Sequence, residues 1–397
     1  MKKKILFISY NDFSGGASIA AYNSFKSIPN DKYEKFFYCI NKFTNDSRVK
    51  IIKINYFKLI KIFFFILISK FVDIVYLNKY QIKKSLAIFK TKILQDLDTN
   101  DFDIIHIHWF FNDFLSLDEM LNTGKKKIII SMHDLWFCNG MHHYELKKLN
   151  TFSKLIETYL FKNKINKILK KKNLILTTPS EWVKKIFLKK CQIYNYKEEL
   201  FEIQIIKNPI IKYKINNKIE LRKIYFLPNE EKIGLIHYEK KNYYIKGYDI
   251  LFTILDDINR TKTKKYFILF GNNTKSFPTS KFPNLIFYNF NYVDFYKLST
   301  LYQLSDFLIL TSRQESFSQL TAESLINNTP VITFEGSGQS ELICHKRNGY
   351  IAKNNNIKDF IQGIDFFCDS NKFYNEEEQS KLIIQNYYKN YLEKIYD

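Results

Sequence analysis

Leu308–Phe334 reads LILTSRQESFSQLTAESLINNTPVITF, and several signals converge in this one segment of βαβ size. The apolar run Phe307–Leu310 has the length of a buried strand. Ser316 and Gln319 then stand at capping-box spacing. Leu320, Ala322, Leu325 and Ile326 supply the apolar face of a short helix, and Pro330 stops it. Val331–Phe334 is the next strand. Glu315 thus lies in the loop at the helix mouth and Glu323 further down, about 10 Å away at the ~1.5 Å helical rise per residue. Two carboxylates so spaced suit the two ends of one elongated polar ligand. Between them, the amides of Phe317, Ser318 and Gln319 offer an anion site at the helix N-terminus. Spacing alone favours the plainer alternative, a solvated helix with two surface glutamates.

The rest of the chain sets the scale. Its 397 residues, 46% hydrophobic and 17% aromatic, suffice for two domains with cores of their own. The net charge of +21 is carried almost wholly by lysine; arginine occurs only at 48, 222, 260, 313 and 347. Bidentate readers of bases and phosphates favour arginine, so nucleic acid is discounted and anionic membrane surfaces are retained. Five scattered cysteines without CxxC spacing fit a reducing cytosol. The opening MKKKILFISY has too short an apolar run for a signal peptide and reads as a strand. Residues 57–72, FKLIKIFFFILISKFV, form the most apolar segment, but lysines 58, 61 and 70 leave too short a run to span a bilayer.

Taken in order, Ile5–Ser9 is a strand, NDFSGGAS (11–18) a glycine loop, and Ile19–Ile28 a helix, the opening of a nucleotide-type α/β domain. Gly15 and Gly16 let the backbone approach a bound group, although a tight turn explains a lone glycine pair equally simply. Strands follow at Phe36–Ile40, Ile51–Ile54, Asp103–His108 and Lys127–Met132. His106, His108, His133, His142 and His143 gather in this region, so a metal site is one alternative, though no carboxylate set follows at ligand spacing. His133 stands out because ligands bind at the C-terminal ends of parallel strands; a structural histidine held by Asp134 or Trp136 is the plain alternative. Lysines and apolar residues interleave over 154–172, a basic amphipathic helix suited to an anionic bilayer or simply to solvent. After the strand Leu174–Thr178, the helix Glu181–Lys190 and the strand Ile203–Lys207, Asn208 and Pro209 mark a boundary. The βα alternation then restarts with Lys232–His237, Gly247–Leu255, Tyr266–Phe270 and Leu285–Asn289. This divides the chain into residues 1–208, 209–375 and a C-terminal helix, 376–397, able to pack back on the first domain.

These motifs resemble the family 4 retaining glycosyltransferases of the GT-B fold, α/β proteins with two Rossmann-like domains facing across a cleft. SGGAS resembles their first-loop glycines, and IIHIHWF with SMHDLWFCNGMHHYE resembles strand ends of a subgroup that builds bacterial polysaccharides. IKGYDILFTIL resembles their KG helix and ESFSQLTAE their E-x₇-E element. The resemblance implies a hexosyltransferase acting on a nucleotide diphosphate sugar, with no metal or other cofactor. Glu315 would meet the sugar hydroxyls, and Phe317, Ser318 and Gln319 would offer amides to sugar or diphosphate. Glu323 would hold the ribose, Lys246 would neutralise the diphosphate, Gly15 and Gly16 would approach it, and His133 would lie beside the transferred sugar. Departures exist. The usual arginine before the KG lysine is absent, leaving Lys240 or Lys241; Ser318 and Asn291 stand where glycines are common.

The expected acceptor is a glycan or lipid-linked saccharide of capsule, lipopolysaccharide or another surface polysaccharide, reached from the cytoplasm at the anionic inner-membrane surface. Two other readings remain open at this level. One is a metal-dependent hydrolase using His106, His108 and His133; the other is a non-catalytic sugar-binding protein on the same fold. Nucleotide base and sugar would be set around Gly271 and Tyr292.

Overall fold

The computed structural model describes residues 2–54, 56, 60, 63–64, 67, 83–88, 90–94, 97, 101–110, 114–122, 126–145, 149–240, 243–291, 294–369 and 381–396. Most of the 57–72 segment, Lys241, Tyr292 and the start of the C-terminal segment lie outside them. The chain forms two compact units, Met1–Pro209 together with Ile384–Asp397, and Ile210–Ile383.

The first unit is built on seven parallel strands: β1 Lys3–Asn11, β2 Tyr33–Asn41, β3 Val49–Ile51, β4 Ile104–Trp109, β5 Lys127–Ser131, β6 Leu174–Thr178 and β7 Ile203–Ile205. Their order is β3-β2-β1-β4-β5-β6-β7. Parallel sheets bury both faces, so strand residues are apolar on both and alternate between two cores. Leu6 and Ile8 with Ile105 and Ile107 meet Phe161, Ile165 and Phe187 on one face. Ile5, Phe7 and Ile104 meet Phe25, Tyr387, Leu392 and Tyr396 on the other. The C-terminal segment Ile384–Tyr396 therefore belongs to the first unit's core, as two short α-helical turns joined by a π-turn at Tyr388–Leu392.

The second unit has six strands: β8 Ile233–His237, β9 Lys265–Phe270, β10 Leu285–Phe290, β11 Phe307–Leu310, β12 Val331–Phe334 and β13 Gly349–Ala352. They are also parallel, in the order β10-β9-β8-β11-β12-β13. The helices Tyr248–Arg260 and Ile357–Asp369 pack on this sheet through Leu251, Leu255, Phe360 and Ile364.

In each sheet the winding reverses once, between β1 and β4 in the first and between β8 and β11 in the second. Loops leaving neighbouring strands at such a point diverge to opposite faces and open a crevice at the strands' C-terminal ends. The glycine loop follows β1, the Lys246 loop follows β8, and the Glu315 loop follows β11. The fold thus brings the last two loops together within the second unit.

Candidate functional site

In the second unit the Lys246 and Glu315 loops are laced together. The Arg313 amide donates to the Ile245 carbonyl at 2.8 Å, and the Thr311 hydroxyl donates to the Lys246 carbonyl at 3.1 Å. The Arg313 guanidinium donates to the Tyr244 carbonyl at 2.7 Å, stacks 4.3 Å from the Tyr244 ring and pairs with both oxygens of Asp249. Gly247 permits this approach. Its φ is 66°, and a Cβ there would lie 2.0 Å from the Thr311 carbonyl oxygen. The outcome is a direct ion pair: Lys246 Nζ stands 2.7 Å from Glu315 Oε1. Behind it, the Gly338 amide donates to the Glu315 carbonyl at 2.8 Å and Gln339 Nε2 donates to the Ser312 carbonyl at 3.2 Å.

The helix of the E-x₇-E element spans Gln319–Ile326, and Ser318 caps it. This corrects the capping-box reading, which put Ser316 and Gln319 at the helix start. Ser318 Oγ accepts from the Thr321 amide at 3.3 Å and from the Thr321 hydroxyl at 2.9 Å. Of the three amides expected to face an anion, only that of Gln319 belongs to the first turn. Phe317 is buried, and Ser318 sits at φ 71°, ψ 94°, a conformation that suits the glycine for which it stands. Glu323 points from the second turn toward the Tyr302 hydroxyl, which donates to it at 3.2 Å. Burial raises the Glu323 carboxyl to about 7, against the opposing effect of the Tyr302 hydrogen bond.

Lys240 is exposed. His237, not singled out from sequence, ends β8 beside this site. Burial first, and then the charge of Lys246, hold it down to about 3, so its imidazole is neutral. Its Nδ1 lies 3.3 Å from the Tyr248 hydroxyl, which accepts from the Glu239 amide at 3.0 Å. Arg313 carries no motif of its own either. The signal available for both was position alone: one ends a strand and the other opens the loop after its neighbour at the switch point.

In the first unit, Gly15 adopts φ 83°, ψ 157° and caps the helix Gly16–Ser27, which starts earlier than the sequence reading placed it. The loop is fixed by the buried Asp12, which accepts from the Phe43 and Thr44 amides at 2.7 and 3.0 Å and from the Thr44 hydroxyl at 2.6 Å. His133 follows β5, with its Nε2 3.0 Å from His108 Nδ1. Strand alternation turns His106 and His108 to one face, rings 4.0 Å apart. His106 uses both nitrogens, Nε2 toward the Ser131 hydroxyl at 2.8 Å and Nδ1 toward the Tyr396 hydroxyl at 2.5 Å. Burial drives all three imidazoles down, His106 to about 3 and His133 to about 4. Among the described residues, no three His, Cys, Asp or Glu side chains gather as ligands for a metal ion.

Asp134 binds His143 Nδ1 at 2.6 Å and accepts from the Trp136 amide at 2.9 Å, so it shapes the loop that carries His133. The helix Thr151–Leu169 holds that loop from outside. Its Lys164, counted from sequence among the exposed basic residues, is buried: Nζ donates to the Asn139 carbonyl at 2.9 Å and lies 3.2 Å from the Trp136 ring centre. Burial lowers its pKa to about 7, against the pull of the Glu157 carboxylate. Glu157 itself accepts from the Gly140 and Met141 amides and pairs with His142.

Residues 217–389 match the family model of glycosyl transferases, group 1. An uncharacterized glycosyltransferase of Haemophilus influenzae is 27% identical over 92 residues, 23% of this chain and 26% of that protein. The chain thus aligns with about a quarter of that curated relative. Among solved structures, HepE of Anabaena in complex with UDP-glucose superposes with a TM-score of 0.58 at 14% identity, covering 99% of this chain and 96% of its own. WaaG, a glycosyltransferase involved in lipopolysaccharide biosynthesis, gives 0.61 at 13% identity over 97% and 93%. Likeness at such identity shows the fold, two Rossmann-like units of the GT-B type, and the sequence match lies in the half that carries Lys246, Glu315 and Glu323. The chain therefore has the GT-B fold, and the second unit carries the segment that matches the group 1 glycosyl transferases.

Proposed function

We propose that this protein is a retaining glycosyltransferase that moves a hexose from a nucleotide diphosphate sugar to a glycan or lipid-linked saccharide. The observation that carries the reading is the Lys246–Glu315 pair at the switch point of the second sheet, inside the matched 217–389 segment. Departure of a nucleoside diphosphate concentrates negative charge on the leaving phosphate. A fixed ammonium, with the Gln319 amide in the first turn of the adjoining helix, lowers the barrier to that departure. Lys246, with Lys240 in support, neutralises the diphosphate, while Phe317, Ser318 and Gln319 line it. Glu315 accepts from the sugar hydroxyls and Glu323 from the ribose. The leaving phosphate takes the acceptor proton, and no metal takes part.

The HepE complexes with UDP-glucose and with UDP support a nucleotide sugar as donor. WaaG and the lipopolysaccharide galactosyltransferase WaaB support a place in surface-polysaccharide, capsule or lipopolysaccharide synthesis. No described helix is long and apolar enough to cross a membrane. We place the protein in the cytoplasm, working at the inner face of the membrane where lipid-linked acceptors lie.

A thermal-shift panel of nucleoside diphosphates and their sugars tests the donor, because a ligand raises stability in proportion to the logarithm of its concentration over Kd. One nucleotide series should shift the melting temperature, and a panel without shifts counts against the reading. Glu315→Gln should abolish transfer while the protein stays folded, and chelation by EDTA should leave transfer unchanged.

A further inference from the structure

The helix Thr151–Leu169 has an inward face, Ser153, Phe161, Lys164, Ile165 and Ile168, and a quite different outward one. Phe152, Leu155 and Tyr159 are 58%, 65% and 70% exposed, large values for large apolar side chains. Helical spacing continues their stripe through Lys162, Asn166 and Lys170, all exposed, and the chain then adds Lys171 and Lys172. Glu157 is the helix's single acidic residue, and it is turned toward the Gly140 and Met141 amides. The outward stripe therefore holds aromatic and aliphatic groups at one end, lysines at the other, and no carboxylate. Ile193, 62% exposed, ends the helix Glu181–Ile193, and Tyr194 just after it lies under Lys162 with its ring centre 5.3 Å from Nζ.

We propose that this stripe is the surface by which the first unit rests on an anionic lipid bilayer. The inference rests on the proposed function only for its purpose, delivery of the active protein to a lipid-linked acceptor. A helix lying in the interface inserts its apolar side chains below the headgroups and spreads its lysines among anionic lipids. A second copy of the chain would face the stripe with the same lysines, on a protein already at +21, and like charges oppose that contact. Nucleic acid is the poorer match because the cations here are all lysines, without the arginine fork.

Co-sedimentation of the full chain with vesicles tests this. Phosphatidylcholine vesicles containing phosphatidylglycerol should bind the protein, with binding falling as salt rises, while phosphatidylcholine alone should not. The triple variant Phe152→Ser, Leu155→Ser, Tyr159→Ser should bind the anionic vesicles more weakly by about tenfold or more, because it has little apolar surface left to bury among the lipids. Its melting temperature should stay unchanged, since the three side chains are exposed. Lys162→Gln, Lys170→Gln and Lys172→Gln should each weaken binding roughly fivefold, the effect of about one lysine near an anionic surface. The proposal is overturned if the triple variant binds as the wild type does, or if the wild type ignores lipid charge. It is equally overturned if the wild type is a dimer that the triple variant converts to monomer. The assay contains no nucleotide sugar. Vesicle binding without sugar transfer would overturn the proposed function alone, and transfer without vesicle binding would overturn this surface alone.

Discussion

Lys246 and Glu315 neutralise each other across 2.7 Å, yet the proposed reaction needs each for a different part of the donor. A nucleotide sugar must take the ammonium with its diphosphate and the carboxylate with its hydroxyls, so the ion pair is exchanged for two new contacts. A free nucleoside diphosphate takes only the first and leaves Glu315 beside phosphate. Glu315→Gln should therefore bind nucleoside diphosphate more tightly even as transfer is lost. The pair is partly exposed, so the gain is at most about fivefold. Isothermal titration of both proteins measures it, and weaker binding by the variant would contradict the exchange. Glu323 adds a pH dependence. Its carboxyl, held up to about 7, is largely protonated in mildly acidic solution, and ribose hydroxyls need the ionised form as acceptor. Donor affinity should fall about tenfold per pH unit below 7, and Glu323→Gln should bind weakly with that slope gone.

At the scale of elements, the laced loops depend on Gly247. An alanine there meets the Thr311 carbonyl and must hold a positive φ, so Gly247→Ala should cost at least about 2 kcal/mol in denaturant unfolding. Ser318 combines a favourable cap with an unfavourable backbone. Ser318→Ala should lose about 1 kcal/mol, the value of a cap, whereas Ser318→Gly should be near neutral because it also relieves the left-handed backbone. The strands Leu174–Thr178, Phe307–Leu310 and Val331–Phe334 were legible residue for residue, because in a sheet buried on both faces an apolar run ends where burial ends. The cap was not legible. Ser316 has the right spacing, but the Gly338 amide bound to the Glu315 carbonyl delays the chain's entry into the helix by two residues. Nor was Lys164: a lysine in a basic helix looks exposed until the Trp136–Asn139 turn closes over it.

For the whole molecule, the buried histidines set the acid limit. His106, His108, His133 and His237 all have folded-state pKa values below their ordinary one, so the unfolded chain binds more protons as pH falls. Their contribution to stability is complete above about pH 6.5 and is lost as pH falls toward the folded-state values, about 4 for His133 and about 3 for His106 and His237. Glu323 acts the other way between its unfolded value and 7, but it is one group against these imidazoles and that of His143, which burial also holds down. The melting temperature should therefore fall steadily below pH 6.5; a flat profile down to pH 4 would mean that these imidazoles are hydrated.

The sequence by itself determined the alternation of strand and helix, the restart of that alternation in a second half, and the loops that carry Gly15, His133, Lys246 and Glu315. Those features are local, written in apolar run length, glycine position and helix-stop residues. Only the tertiary structure decided that Lys246 and Glu315 meet, that Arg313 and Gly247 hold them there, that Glu323 lies against Tyr302, and that the outward face of the Thr151–Leu169 helix carries Phe152, Leu155 and Tyr159. Each is a contact between segments distant in sequence or a choice of which face is covered, and strand order and packing alone settle such matters.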